Sequence, residues 1–475
     1  MRIRGMIMGF LNFFRKSNGR KAKQKKPERW RGFRKLRIES LAFRVLILLV
    51  TTSLIFASAR AARAQQPTPR PADGRYFVPE EREAVALLAK YNVQFCPDSR
   101  GHVRNVVVGK PPPGLTYAQV LEQVAKFSEL EDVNLSGAKL SADDLRKIAG
   151  LQHLLDMNLS GAKISPDDFL VLGSMKSLQS LTLNGSTFDS AELKKLGGLK
   201  NLVQLTLDRT AADDDALAAV SGFTHLRYLS LDHTKVTNRG LRALEGLTDL
   251  ESLYLSLWLN DEGLSHLENL VKLTELQDTA PLRNVTDKGL RSLRKLTRLR
   301  ALDLRMSKIS DQGLANLASF TALWRLDISH TRVTDAGLGT LLSLPDLQTL
   351  FVGPGVGEKG MAIIAKIPKL DTLYVSVTGD DALVPLREMP GLSRLDLSGS
   401  QITGDGLVYL LHCSKLEFLS LSKTRIADGS LPYLFKLKQL KELLIVDTEL
   451  SSEGCEKLRL ALPDTHVRTS WGEPL

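Results

Sequence analysis

The stretch LDISHTRVTDAGL, residues 326–338, combines two hydrophobic periods within one short segment. Leu326 and Ile328 alternate with polar residues, as in a strand with one buried face. The segment VTDAGL then has the form of a helix start, where Thr or Asp can cap free N–H groups. Related segments recur at 236–241 (VTNRGL), 285–290 (VTDKGL) and 309–314 (ISDQGL), so the stretch is one unit of a repeat.

The leucine positions show how far this repeat extends. A leucine in the same frame recurs every 24 residues from Leu130 to Leu250, and the frame continues to Leu440 in steps of 22 to 26. This gives about fifteen repeats over residues 102–450. One strand and one short helix cannot enclose a core alone, so neighbouring repeats must stack. The predicted fold class is an α/β solenoid, a right-handed β-α superhelix with a parallel sheet on its concave side.

These segments resemble the leucine-rich repeat family. The pattern LxLxxTxITDxGLxxLxxLxxL is similar to the subtype of F-box-associated and GALA-type proteins and of exported bacterial repeat proteins. The resemblance covers about three quarters of the chain. It implies a curved solenoid whose concave sheet binds another macromolecule. No F-box-like helical module precedes the repeats, which argues against a ubiquitin-ligase role.

The charge of the chain is concentrated in residues 1–64. This segment holds 17 Lys or Arg and 2 acids, a net +15, whereas the whole chain carries +11. Residues 65–475 therefore carry −4, and the basic composition is no argument for nucleic-acid binding. No nucleic-acid partner is expected.

Residues 1–64 have the order of a secretory leader. An uncharged apolar run, Val45 to Ala59, is followed by Ala62-Arg63-Ala64, a small-residue cleavage signal before Gln65. The segment is expected to be a cleaved signal peptide, or a signal anchor through residues 41–59. The membrane is then contacted only through an uncleaved leader. In both cases the body is extracytoplasmic, either periplasmic or secreted.

The remaining segments flank the repeats. Residues 65–79 are Pro-rich and read as a linker. Residues 80–101 are expected to form an N-terminal cap with a helix over 80–91, and residues 451–475 a C-terminal cap with a helix and a polar strand. Three cysteines, Cys96, Cys413 and Cys455, show neither metal-site nor disulfide spacing, and Cys455 replaces a core leucine.

A search for catalytic chemistry leaves no candidate residue set. His233 and His330 share the position after the strand but lie four repeats apart, roughly 20 Å, too far for one metal ion. Strand alternation predicts that Asp232 and His233 point in opposite directions. The sequence contains no nucleophile-elbow, zincin or phosphate-loop motif. The chain is therefore expected not to be an enzyme, with no catalytic, cofactor or metal residues.

Hydroxyl residues recur just after the strands. Such a hydroxyl can donate and accept, so we expect it to bridge backbone groups of neighbouring turns. The positions are Thr210, Thr234, Thr331, Thr424 and Thr448, with Ser186, Ser307 and Ser400.

The concave face follows from alternation along the strands. Its central column is small and polar at first, as at Asn134 and Thr182, and carries aromatics and acids from Tyr254 onward. Exposed aromatics beside arginines are typical of binding hot spots, although Tyr and Phe also suit any strand. The predicted partner-binding residues are Tyr228, Tyr254, Trp258, Asp303, Arg305, Arg325, Asp327, Phe351, Tyr374 and Arg394.

These observations predict a non-enzymatic, monomeric, extracytoplasmic scaffold that binds a protein or another macromolecule on its concave face. The alternative is a cytoplasmic substrate-recognition adaptor of a larger complex. One further cluster, KGLRSLRKLTRLR (288–300), is expected to be a solvated helix face, with an anionic partner as the alternative.

Overall fold

The computed structural model describes residues 77–90, 93–109, 116–280 and 282–470, which belong to one unit, Pro71–Leu475. The predicted leader, with its cleavage point, and most of the predicted linker lie outside the described residues. Within those residues, no helix combines the length and apolar character needed to cross a bilayer.

Seventeen strands of the described residues form a single sheet in which each strand neighbours the next one in the chain. The pair β1–β2 is antiparallel, and all other neighbours are parallel. This confirms the predicted fold class, an α/β leucine-rich repeat solenoid. The strands are β1 (Gln94–Pro97), β2 (Val103–Val107), β3 (Asp132–Asn134), β4 (Asp156–Asn158), β5 (Ser180–Thr182), β6 (Gln204–Thr206), β7 (Tyr228–Leu231), β8 (Ser252–Leu255), β9 (Glu275–Asp278), β10 (Ala301–Asp303), β11 (Arg325–Ile328), β12 (Thr349–Val356), β13 (Thr372–Val377), β14 (Arg394–Asp396), β15 (Phe418–Ser420), β16 (Glu442–Ile445) and β17 (His466–Thr469).

Short helices alternate with these strands. The α-helices are α1 (Pro79–Ala89), α2 (Tyr117–Val124), α3 (Ala142–Ile148), α4 (Pro166–Ser174), α5 (Asp214–Val220), α6 (Asp261–Ser265), α7 (Asp287–Ser292), α8 (Asp311–Leu314), α9 (Glu358–Ile364), α10 (Leu431–Leu434) and α11 (Ser452–Ala461). The 3₁₀ segments are Ser190–Gly198, Gly240–Leu244, Leu293–Lys295, Ala315–Ser319, Leu338–Ser343, Asp380–Glu388, Gly404–His412 and Asp428–Ser430.

The core lies between the sheet and the helices. In the repeat that contains β11, Leu326 and Ile328 on the strand and Leu338 and Leu341 on the following 3₁₀ segment are all buried. Successive repeats place the same apolar positions in contact, so one continuous cluster runs through the described residues. Each repeat therefore closes the core of its neighbour, as the repeat pattern predicted.

The corner after each regular strand uses a left-handed backbone. His233 has φ 55° and His330 has φ 56°, and Gly161 and Gly185 take the same role in earlier repeats. The expected separation of Asp232 and His233 is therefore wrong. Because the left-handed residue interrupts strand alternation, His233 Nδ1 lies 2.8 Å from Asp232 Oδ2.

The recurring hydroxyls behave differently from the prediction that they bridge neighbouring turns. Thr331 Oγ1 donates to the carbonyl of Ile328, 2.7 Å away in its own corner, and the other corner threonines make the same contact. Two of the three predicted serines do reach neighbouring repeats: Ser186 Oγ donates to the carbonyl of Leu159, and Ser400 Oγ accepts from the Val377 amide. The buried Ser307 hydroxyl has no hydrogen-bond partner among the described residues. The β-branch of threonine restricts its rotamer, so its hydroxyl stays on the local carbonyl.

The TDxGL segment joins consecutive repeats. Asp311 Oδ1 accepts the amide of Thr334 at 2.8 Å, and Asp311 Oδ2 accepts the Thr334 hydroxyl at 2.7 Å. The glycine of the second repeat leaves room for this carboxylate, because a Cβ on Gly337 would overlap Asp311. We call this arrangement the Asp clamp. It recurs at Asp214–Thr237, Asp261–Thr286, Asp287–Ser310, Asp380–Thr403 and Asp428–Ser451.

Both ends of the described solenoid carry an additional element. The helix α1 begins at Pro79 and buries Ala84, Val85 and Leu88. Its buried Glu81 accepts the Val103 amide at 2.8 Å, and burial raises the pKa of this carboxyl group. At the other end, α11 is followed by β17, which pairs in parallel with β16.

Candidate binding face of the sheet

The strand register aligns side chains into columns on the side of the sheet opposite the helices, which we call the sheet face. Tyr254 pairs with Ser230 and Gln277, and Phe351 pairs with Asp327 and Tyr374. Eight of the predicted residues occupy strand positions in this register, and two of them are the acids Asp303 and Asp327. The other six are the aromatic and arginine residues Tyr228, Tyr254, Arg325, Phe351, Tyr374 and Arg394.

An aromatic stack lies on β12 and β13. The rings of Phe351 and Tyr374 are nearly parallel, with their centroids 4.2 Å apart and an interplanar angle of 10°. The guanidinium of Arg325 lies 5.2 Å from the Phe351 ring, and that of Arg394 lies 4.1 Å from the ring of Phe418. Cations over aromatic faces are held in place by the ring quadrupole. This part of the sheet face therefore presents flat apolar surface with oriented hydrogen-bond donors.

A tyrosine pair lies on β7 and β8. The Tyr228 and Tyr254 ring centroids are 5.3 Å apart at an angle of 38°. The Tyr254 hydroxyl donates to Glu275, and the acidic Asp208 lies close to Tyr228. Burial and these carboxylates raise the pKa of both phenols, so both remain neutral at physiological pH.

Two aspartates, Asp303 and Asp327, lie between the two aromatic groups and already contact other side chains of the protein. Asp303 and Asp327 face each other on β10 and β11. Burial raises the pKa of Asp303, as does the charge of Asp327, while Arg305 Nε lies 3.2 Å from Asp303 Oδ2. Asp327 is 6% exposed and accepts the amide and hydroxyl of Ser329. Asp327 thus supports its own corner, and little of it is available to a partner.

Trp258 does not belong to the sheet face with the other predicted residues. It follows β8 in the corner of an irregular repeat, where 54% of the residue is exposed, and Arg283 lies 5.7 Å from its ring. Asp278 anchors this corner by accepting the amides of Leu257, Leu259 and Ala280. Burial raises the pKa of the Asp278 carboxyl group to about 7, with a smaller contribution from Asp232.

Charge divides the sheet face into two parts. Over β3 to β9 its strand and strand-end positions include the acids Asp132, Asp156, Asp208, Asp232 and Glu275, while Arg209 stands in the corner beside Asp208. Over β10 to β15 the arginines at 305, 325 and 394 are balanced by the aspartates at 303, 327 and 396. A partner would therefore meet an acidic surface with two tyrosines, then a neutral one with an aromatic stack.

Metal-ligand and thiol side chains do not cluster in the described residues. They contain no group of three or more His, Cys, Asp or Glu side chains placed to hold a metal ion. The cysteines are unpaired, with Cys413 and Cys455 buried. Burial raises the pKa of the Cys413 thiol to about 12, which keeps it protonated.

One set of basic residues was not predicted from the sequence. A lysine or arginine follows the left-handed corner by two positions in the segments HTKVT, MSKIS, HTRVT and KTRIA. All four are exposed beside the sheet face, and Lys308 and Arg332 belong to consecutive repeats. The recurring pattern HT-K/R-V-T could have predicted these basic residues. They were missed because their position lies between the strand and the helix, outside both hydrophobic patterns. The four residues are Lys235, Lys308, Arg332 and Arg425.

Three stretches of the chain match a known family model. A family model described as a leucine-rich repeat matches residues 224–244, 295–318 and 391–411. No curated protein sequence matches the chain. Among solved structures, an internalin from Listeria monocytogenes shares 20% identity, covering 86% of this chain and 100% of its own, with a TM-score of 0.44. A leucine-rich repeat protein of Leptospira interrogans shares 19% identity over 76% of this chain and 100% of its own, with a TM-score of 0.46.

A third solved structure, TLR13 in complex with ssRNA13, has a TM-score of 0.50 at 16% identity, covering 77% of this chain and 61% of its own. At such identities the similarity concerns the fold alone. The sequence period, the parallel sheet with alternating helices and the matching family model agree. The chain therefore carries leucine-rich repeats and has their solenoid fold.

Proposed function

We propose that this protein is a non-catalytic scaffold that holds a protein partner on the sheet face between β7 and β15. The observation that carries the proposal is the stack of Phe351 on Tyr374, with Arg325 beside it. Aromatic and arginine side chains on one surface are the composition that dominates measured binding energies. Their orientation is fixed by stacking before a partner arrives, so little conformational entropy is lost on binding.

The alternative role of these aromatics is to cover the sheet. Phe418 fits that role, because Arg394 leaves it only 7% exposed. Phe351, Tyr374 and Tyr254 are less covered and keep part of each side chain accessible. We therefore assign the binding role to these three and a supporting role to Phe418.

We further propose that the scaffold works outside the cytoplasm. Support comes from the leader-like order of residues 1–64, a basic segment, an apolar run and small residues before Gln65.

Affinity capture with the full chain tests the sheet-face proposal. The parent and the double variant Tyr254→Ala/Tyr374→Ala serve as baits, and a specific partner is one captured by the parent and lost with the variant. Calorimetry should then show that each single substitution weakens binding by roughly 1–3 kcal/mol.

Thr182→Ala is the matched control, because Thr182 lies in the same column on β5 with a small side chain. It should leave the affinity unchanged. The proposal fails if both tyrosine variants keep the parent's circular dichroism spectrum and its affinity.

A further inference from the structure

A set of cations borders the sheet face at the carboxyl ends of the strands. Here Arg283 joins Lys235, Lys308, Arg332 and Arg425, and we call these five residues the basic edge. All five are exposed, and no salt bridge within the described part of the chain pairs any of them with a carboxylate.

The backbone holds the centre of the basic edge in register. The Lys308 amide donates to the carbonyl of Val285 at 2.8 Å, and the Arg332 amide donates to that of Ile309 at 2.9 Å. Hydrogen-bonded segments of neighbouring repeats lie about 5 Å apart. Lys308 and Arg332 therefore extend two like charges from neighbouring repeats, an arrangement that favours an anion between them.

A cavity lies at the centre of the basic edge. It is open to solvent, has a volume of about 400 Å³, and is lined by Arg283, Met306, Lys308 and His330. Met306 is 39% exposed, and Trp258 lies alongside under the guanidinium of Arg283. The site therefore offers three nitrogen-bearing side chains to an anionic group and two exposed apolar side chains to whatever carries that group.

Carboxylate side chains border the basic edge on both sides. On one side lies the sheet face, where β9 to β11 carry Glu275, Asp303 and Asp327. On the other side lie the helix starts, where the clamp residues Asp287 and Asp311 are half-buried. A polyanion with charge on all sides, such as a nucleic acid, would meet both rows of carboxylates. An extended peptide can place its acidic side chains on the cations alone.

We propose that the basic edge binds an acidic peptide segment, with an apolar residue of that segment against Trp258 and Met306. This surface is separate from the aromatic groups of the sheet face, and its occupant need not be the partner proposed there.

Fluorescence anisotropy of labelled hexaglutamate with the full chain tests this at low salt, since screening weakens exposed charge pairs. The test variant is Arg283→Glu/Lys308→Glu. The control is Arg291→Glu/Arg294→Glu, which changes the net charge equally on an exposed helix face of the same repeat. The basic leader contributes equally to every variant. We expect the edge variant to lose at least about tenfold in affinity and the control less than about twofold.

Arg283→Gln/Lys308→Gln provides a second, milder variant, and circular dichroism verifies that each protein is folded. The glutamine variant should fall between the parent and the charge reversal. Equal losses in edge and control variants, or no loss in the edge variant, would overturn the proposal. Tighter binding of an oligothymidylate of matching charge, lost with the same edge variant, would overturn the assignment to a peptide.

Discussion

At the scale of single residues, the corner after each strand explains why HT recurs in the sequence. His330 takes the left-handed conformation, and Thr331 then donates its hydroxyl to the Ile328 carbonyl and accepts from the Val333 amide at 3.4 Å. The hydroxyl satisfies backbone groups that the turn leaves outside the sheet. The residue before it needs only to tolerate positive φ, which is why Gly, His, Arg, Met, Lys and Asp all occur there.

Thr331→Val should destabilise the fold by about 1 kcal/mol, because the Ile328 carbonyl loses its donor while the shape is kept. Urea denaturation measures the change. Thr321→Val serves as the control at an exposed position. An unchanged midpoint for Thr331→Val would mean that water replaces the hydroxyl at no cost.

Asp278 should give the stability of the fold a pH dependence. Burial raises its pKa from 3.8 to about 7, so the folded state retains a proton that the unfolded chain has released. The stability contributed by protonation is therefore present below about pH 4 and is lost as pH rises toward 7. Asp278→Asn should reduce the difference in urea midpoint between pH 5 and pH 8, whereas Asp464→Asn, at an exposed position, should leave it as in the parent. A pH dependence unaltered by Asp278→Asn would contradict this origin.

At the scale of elements, the Asp clamp explains why TDxGL recurs at a regular spacing along the chain. The hydroxyl residue begins one helix, and it also donates to the aspartate of the preceding repeat. The glycine three residues after Thr334, Gly337, keeps that aspartate in place. Thr, Asp and Gly therefore form one device that spans two repeats, and its recurrence reflects stacking rather than catalysis.

Gly313→Ala should destabilise the protein by roughly 1–3 kcal/mol, because the added methyl group overlaps Asp287 and separates two helix starts. Gly339→Ala is the matched control: its Cβ would meet no atom within 4 Å, so stability should stay equal or rise slightly. Thermal or urea unfolding distinguishes the two variants. Equal destabilisation by both would refute the clamp as the reason for the glycine.

At the scale of the whole molecule, the solenoid separates three surfaces by repeat position. The aromatic groups and the acidic columns lie on the sheet face, the basic edge follows the corners, and the helices close the core. Because every repeat contributes one residue to each column, a change of residue at one position alters only a short section of one surface. Binding chemistry can therefore vary along the chain while the fold stays constant.

Export, as proposed, would remove the leader from the chain. The mature protein should begin at Gln65, because the apolar run at 45–59 is short and small residues stand before the cleavage point. N-terminal sequencing of the native protein, after fractionation, measures this. A membrane-bound chain that keeps residues 1–64 would show an anchor in place of a cleaved signal.

The sequence by itself determined the repeat frame, the parallel sheet and the buried positions. Leu326 and Ile328 alternate, and leucines such as Leu338 and Leu341 recur at helical spacing. These patterns are local, and every repeat shows the same strand and helix periodicity. The fold can therefore be predicted without knowledge of long-range contacts. The same alternation placed Tyr254 and Phe351 outward on the sheet face.

Only the tertiary structure decided how side chains pair. His233 turns back onto Asp232, Thr331 keeps to its own corner and Trp258 leaves the sheet face, since left-handed corners and an irregular repeat interrupt strand alternation. Contacts such as Asp311 with Thr334 join residues 23 positions apart. Their partners depend on how repeats stack, and a period in the sequence gives the position of a residue but not the direction of its side chain.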